Sequence, residues 1–208
     1  MKQYKRIVAA CIMLCVLFMT GCEQEKVYVP ITANTIEITE DGSLIGYLVE
    51  DFDKEYYNVA ELESMLRSEL EVYNTQKSNL AEGAGRVPIT VDKVIMAEDG
   101  SAKVVVGLNF ANADVYEDYM GKELFYGSVT QAVTAGYELE GKLAAVKDNA
   151  AFGTKEIEKY GNKPILIVED TVSIRTDKKV QYLSTNASLT EEGFVDGASE
   201  ELKYIITK

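Results

Sequence analysis

Glu50-Asp51-Phe52-Asp53-Lys54-Glu55 is the densest run of carboxylates in the chain. Asp51, Asp53 and Glu55 alternate as the first ligands of a calcium-binding loop do. The sixth position of such a loop would be Tyr56 instead of Gly, and the twelfth Leu62 instead of a bidentate Glu. The run therefore reads as acidic residues ahead of a helix N-terminus, whose partial positive charge favours them; a calcium site of another loop geometry stays open. Gly136-Tyr-Glu-Leu-Glu-Gly141-Lys142-Leu143 matches most of a phosphate-binding loop. It fails at Leu143, where a Ser or Thr hydroxyl would hold magnesium, and Glu138 and Glu140 would repel phosphate, so no nucleotide is expected.

Other reaction chemistries are thinly supplied. The chain has no His, which removes Ser-His-Asp and Cys-His nucleophilic catalysis and imidazole-based zinc sites. Neither a Gly-x-Ser-x-Gly elbow nor a Ser-x-x-Lys pair occurs. With 34 acidic residues, paired carboxylates that could hydrolyse a glycosidic bond arise in almost any fold. There is no Trp to stack a sugar, although Tyr56, Tyr57, Tyr116, Tyr119 and Tyr126 are candidates for an exposed aromatic surface. A formal charge of −13 argues against a nucleic-acid partner, which needs clustered Lys and Arg.

At the N-terminus, Lys2, Lys5 and Arg6 precede an uncharged run from Ile7 to Thr20. The run is short for a spanning helix, which needs about 20 apolar residues, and suits a signal-peptide core. Met19-Thr20-Gly21-Cys22 follows, and it resembles the lipobox of bacterial lipoproteins. Cys11 stands too close to the basic region, and Cys15 follows Leu14, too large for the small-residue slot. The resemblance implies that residues 1–21 are a lipoprotein signal peptide and that Cys22 is the lipid attachment site. It implies a covalent diacylglycerol on Cys22 as the one attached group and a location at the outer face of the cell membrane. Two acyl chains give stable anchoring. Removal of the signal takes Lys2, Lys5 and Arg6 with it and moves the charge from −13 to −16. It also leaves Cys22 as the sole cysteine, so no disulfide, thiol chemistry or Cys-based metal site is expected.

Residues 22–26 then form a short tether, and 27–208 a single extracytoplasmic domain. Thr35 to Thr39 alternates polar and apolar residues, and Leu44 to Val49 resumes beyond Glu40-Asp41-Gly42-Ser43. The design recurs at Val91 to Met96, Glu98-Asp99-Gly100-Ser101 and Ala102 to Phe110, with a Phe at the same distance past each Ser (Phe52, Phe110). Asp-Gly predicts hairpins through type I′ turns. The recurrence reads as shared turn chemistry more readily than as a duplicated unit. Between the hairpins, Asn58 caps a helix, Glu61 completes a capping-box variant, and Leu62, Met65, Leu66, Leu70 and Tyr73 form a stripe predicted to be core. Shorter helices are predicted over 112–120, from Ser128 towards Tyr137, and over 154–160. Ile165-Leu166-Ile167-Val168, Thr171 to Arg175, Val180 to Ser184 and Leu202 to Thr207 read as strands, and 190–201 as a polar loop.

The fold class expected is α+β: a mostly antiparallel sheet built from hairpins, with helices packed on one face. The body resembles uncharacterised lipoproteins of clostridia-type Gram-positive bacteria in Glu50-Asp-Phe-Asp-Lys-Glu-Tyr-Tyr57, Leu124-Phe-Tyr-Gly-Ser-Val129 and Ala135-Gly-Tyr137. That resemblance implies no activity and no catalytic residues. The expected function is a membrane-anchored, non-enzymatic binding or protein-interaction domain with an envelope protein as a possible partner. The alternative is a carboxylate-based hydrolase of an envelope glycan.

Overall fold

The computed structural model describes residues 30–39, 43–81, 86–169, 171–196 and 201–208. Among these residues are twelve strands and four α-helices. The strands are β1 (Thr35–Ile38), β2 (Leu44–Asp51), β3 (Ile89–Met96), β4 (Lys103–Phe110), β5 (Leu124–Ser128) and β6 (Leu143–Ala145). They continue with β7 (Pro164–Val168), β8 (Ser173–Thr176), β9 (Val180–Ser184), β10 (Ser188–Leu189), β11 (Val195–Asp196) and β12 (Lys203–Thr207). The helices are α1 (Val59–Gln76), α2 (Ala113–Met120), α3 (Val129–Thr134) and α4 (Thr154–Tyr160). Cys22, the rest of residues 1–29, the turn at Glu40-Asp41-Gly42, and Gly83 and Gly85 lie outside the described residues.

The α+β expectation holds, with two sheets in place of one. One has seven strands in the order β10-β11-β8-β1-β2-β4-β3, and the other five in the order β5-β7-β12-β9-β6. Every pairing is antiparallel except β1 with β8. Thr171 to Arg175 and Val180 to Ser184 thus flank a turn as expected, but that turn carries the chain from one sheet to the other. Segment 190–201, expected as loop, contributes β11, and β5 and β6 are strands that hydrophobic patterning did not single out.

The main core lies between the sheets. Ile36, Leu44, Val104, Leu108 and Phe110 of the larger sheet meet Leu124, Leu166, Val168 and Ile205 of the smaller one. On the other face of the smaller sheet, Ile165, Ile167, Tyr204 and Ile206 pack with Val129 and Ala132 of α3 and with Phe152. Because β7 is covered on both faces, its sequence is an unbroken apolar run instead of an alternating one, and β12 carries Tyr204-Ile205-Ile206 at its centre for the same reason. Each fully buried Ile, Leu or Val contributes about 1.5–3 kcal/mol relative to exposure. Lys203 is fully buried at the start of β12, and its Nζ donates to the Val172 carbonyl at 2.9 Å, linking the smaller sheet to the segment entering β8.

Local signals explain the helices. Asn58 accepts the Glu61 N–H at 3.1 Å, Asn112 accepts the Val115 N–H at 2.9 Å, and Ser128 and Gln131 close a reciprocal capping box. Gly121 ends α2 at φ 67°, a left-handed conformation that suits glycine. The second Asp-Gly turn departs from type I′. Only Gly100 has positive φ, because the Asp99 side chain accepts the Ser101 N–H at 2.9 Å and the loop closes further out, with Ala97 N–H donating to Lys103 O.

Candidate functional site

Strand β2 runs along the middle of the larger sheet and ends at Asp51, where the chain turns through 52–58 into α1. Its alternation sends Tyr47 to one face of the sheet and Leu48 and Glu50 to the other. On that second face, α1 covers the sheet with Leu62, Leu66 and Leu70 but leaves its first turns standing over an open groove. The groove encloses about 490 Å³. Its floor is Leu48, Val104 and Val106, one wall is Glu61, Leu62 and Met65 of α1, and the rim is Glu50 to Phe52 with Tyr56 and Tyr57.

Aromatic rings give the rim its shape. Phe52 and Tyr57 stack with centroids 4.8 Å apart, and Tyr56 meets Tyr57 edge-on at 4.9 Å. Contact at those separations makes a continuous platform without a gap between rings. Tyr56 is 77% exposed and Met65 66% exposed, which is unusual for side chains of this size grouped on one surface. The chain is fixed beneath them: Phe52 N–H donates to Ala102 O at 2.7 Å, and Tyr57 N–H to Lys54 O at 3.0 Å.

Around the platform the charge is one-sided. Glu50, Asp51 and Glu61 line the groove, and Asp53 and Glu55 lie in the adjoining turn. Lys54 is engaged by Asp53 at 2.9 Å, and Lys103 stands opposite Asp51 in the β2–β4 register. Glu61 gives its backbone N–H to Asn58, yet its side chain lines the groove, so only half of the expected capping box is made among the described residues.

The structure brings together the acidic run and Tyr56-Tyr57, and adds Phe52, Met65 and the strand residues beneath. Met65 corrects an expectation: it leaves the core stripe and joins the groove wall. Leu62, Leu66, Leu70 and Tyr73 centre the buried seam, and at about 100° per residue Met65 falls roughly 95° from that centre. Tyr116 is a second correction, since it is buried against Phe110 with centroids 5.1 Å apart. Tyr119 is half-buried, edge-on to Tyr73, and Tyr126 is also partly covered. Among the described residues, no three carboxylates converge closely enough to hold a metal ion. Gly136 and Gly141 take positive φ in the connection from α3 to β6, so a strand follows Lys142 where a phosphate loop needs a helix.

The far end of α1 is closed off by its own hydrogen bonds. Asn74 Nδ2 donates to Ile89 O at 2.8 Å and its Oδ1 accepts Ile89 N–H at 2.9 Å, so one side chain stands in for a neighbouring strand at the sheet edge. Tyr73 OH donates to Asp118 at 3.1 Å, and Lys77 Nζ reaches Asp118 at 2.6 Å. Burial, then the bond to Asp118, pushes the Tyr73 phenol up to about 12, and the Lys77 ammonium holds Asp118 below the usual carboxylate range. A recess of about 520 Å³ beside this end, lined by Arg67, Asn74 and Arg86, carries no aromatic ring.

Compared with known proteins, the chain matches no family model, no curated protein and no solved structure.

Proposed function

We propose that the protein is a lipoprotein anchored through Cys22 at the outer face of the cytoplasmic membrane, where it works as a non-enzymatic binding domain. The groove at the start of α1 is its binding surface. The observation that carries this reading is the grouping of Tyr56, Tyr57 and Met65, all exposed, over an apolar floor already built into the sheet. Two tyrosines and a methionine grouped over one apolar trough support recognition better than solubility alone. The anchor reading rests on Met19-Thr20-Gly21-Cys22 behind a basic and then apolar run. Among the described residues no helix is long and apolar enough to cross a membrane. At ~3.3 Å per extended residue, the chain between Cys22 and Thr35 holds β1 within about 45 Å of the leaflet.

Two experiments test the two halves. Metabolic labelling with a palmitate analogue should mark the full chain, and Cys22→Ala should abolish both label and membrane retention; a labelled or retained variant refutes the anchor. Envelope proteins recovered with the wild-type chain should be lost with Tyr56→Ala/Met65→Ser. Recovery unchanged by that pair refutes the groove, and turnover of a purified envelope glycan by the chain refutes the non-enzymatic reading.

A further inference from the structure

We infer that the groove's partner is a basic, amphipathic segment of another protein, with apolar side chains on the Leu48–Val104–Val106 floor and Lys or Arg side chains at the rim. This rests on the reading of the groove as a binding surface and goes on to specify what fills it.

Charge complementarity carries the step. Glu50 and Asp51 line one bank and Glu61 the other, so acidic residues stand on both sides of an apolar trough. A ligand lying between them gains from positive charge on both of its edges and from an apolar centre. Tyr56 and Tyr57 add ring faces to which Lys and especially Arg are attracted. Among the described residues no cation of the chain sits over Phe52, Tyr56 or Tyr57, whereas Lys93 Nζ lies 4.8 Å from the Tyr47 ring centroid. The acidic rim repels an anionic leaflet, which sets aside a lipid surface. A small polyamine would meet the carboxylates but leave Met65 and the apolar floor uncovered.

The test uses the full chain in mild detergent and synthetic peptides, each carrying one Trp. The chain has no Trp of its own, so peptide fluorescence reports binding directly. A Lys/Leu amphipathic peptide is compared with Glu/Leu and Lys/Ser counterparts, with spermine, and with an N-acetylglucosamine tetramer. Lys/Leu should bind at least about tenfold more tightly than every other probe. Its affinity should fall by a similar factor between 50 and 500 mM salt, as screening shortens. Tyr56→Ala/Met65→Ser and Glu50→Gln/Asp51→Asn/Glu61→Gln should each lose about tenfold while melting near the wild type, because all five side chains are exposed. In Glu50→Lys/Glu61→Lys the preference should invert, with Glu/Leu now the tighter ligand.

Equal affinity for Lys/Leu and Glu/Leu overturns the inference and leaves a charge-indifferent groove, so the broader binding reading survives. Preference for spermine or for the glycan overturns it in favour of a different ligand class. Failure of every probe overturns it as well, and the effect of the groove variants on envelope capture then decides the broader reading separately.

Discussion

Two aromatic surfaces flank strand β2, and their difference shows what the groove lacks. On one face, Tyr47 is only 5% exposed, and its neighbours include Glu37, Asp92, Lys93 and Arg175. There the chain supplies both signs of charge: Arg175 pairs with Glu37 at 2.5 Å, and Lys93 lies over the ring. Gly107, opposite Tyr47 on β4, leaves room for the ring; a Cβ there would come within 2.8 Å of it. On the other face, Phe52, Tyr56 and Tyr57 stand among Glu50, Asp51 and Glu61 with no cation over any ring among the described residues. The first surface is internally satisfied and therefore structural. The second has rings and carboxylates but, among the described residues, no cation over the rings, which is the composition expected of a surface completed by a partner.

Substitutions should separate the two surfaces by stability. Tyr47→Ala removes a buried ring and should cost about 3–5 kcal/mol in urea-induced unfolding. Gly107→Ala should cost about 1–3 kcal/mol, because the new Cβ must push the Tyr47 ring aside. Glu37→Gln should cost on the order of 1–3 kcal/mol by leaving Arg175 without its carboxylate on a largely buried face. At the groove, Tyr56→Ala and Met65→Ala should each stay within about 0.5 kcal/mol of wild type. A groove substitution as costly as Tyr47→Ala would erase the distinction.

Alkali gives the same contrast a sign. Burial first, then the neighbouring Glu37 and Asp92, raises the Tyr47 phenol well above its ordinary 10.0. Its contribution to stability is fully present below pH 10 and is lost as pH climbs above it, because the unfolded chain ionises while the folded one resists. Tyr73 and Tyr119, each pushed up to about 12 chiefly by burial, act in the same direction. Wild-type stability should therefore fall between pH 10 and 12 in urea titrations, and Tyr47→Phe should flatten part of that fall. An unchanged slope would mean that Tyr47 ionises as freely in the fold as outside it.

Local chemistry made the helices legible in the sequence. Asn58 caps as its type and spacing predict, the helices expected from Asn112 and Ser128 start one residue later with those side chains as caps, and the run Ile165 to Val168 is a strand buried on both faces. What the sequence concealed was long-range. Asp177-Lys178-Lys179 looks the same whether its flanking strands pair or part, and here β8 joins β1 while β9 joins β12. The site was half legible. Glu50 to Tyr57 stood out by composition, but two of its three floor residues, Val104 and Val106, come from β4, and Met65 sits at the border of a stripe whose periodicity does not mark where burial stops. Phe52 and Phe110 occupy matching places after matching turns, yet one rims the groove and the other is buried against Tyr116. Only the tertiary neighbour, α1 or α2, decides between those fates.

The most direct test of the groove as a binding surface is photocrosslinking in intact cells. A benzophenone side chain would replace Tyr56 in one strain and Val133, exposed on α3 far along the sequence, in another. The account expects a discrete adduct with an envelope protein from position 56, lost when Glu50, Asp51 and Glu61 are neutralised, and none from position 133. No adduct from 56, or equal adducts from both positions, would contradict it.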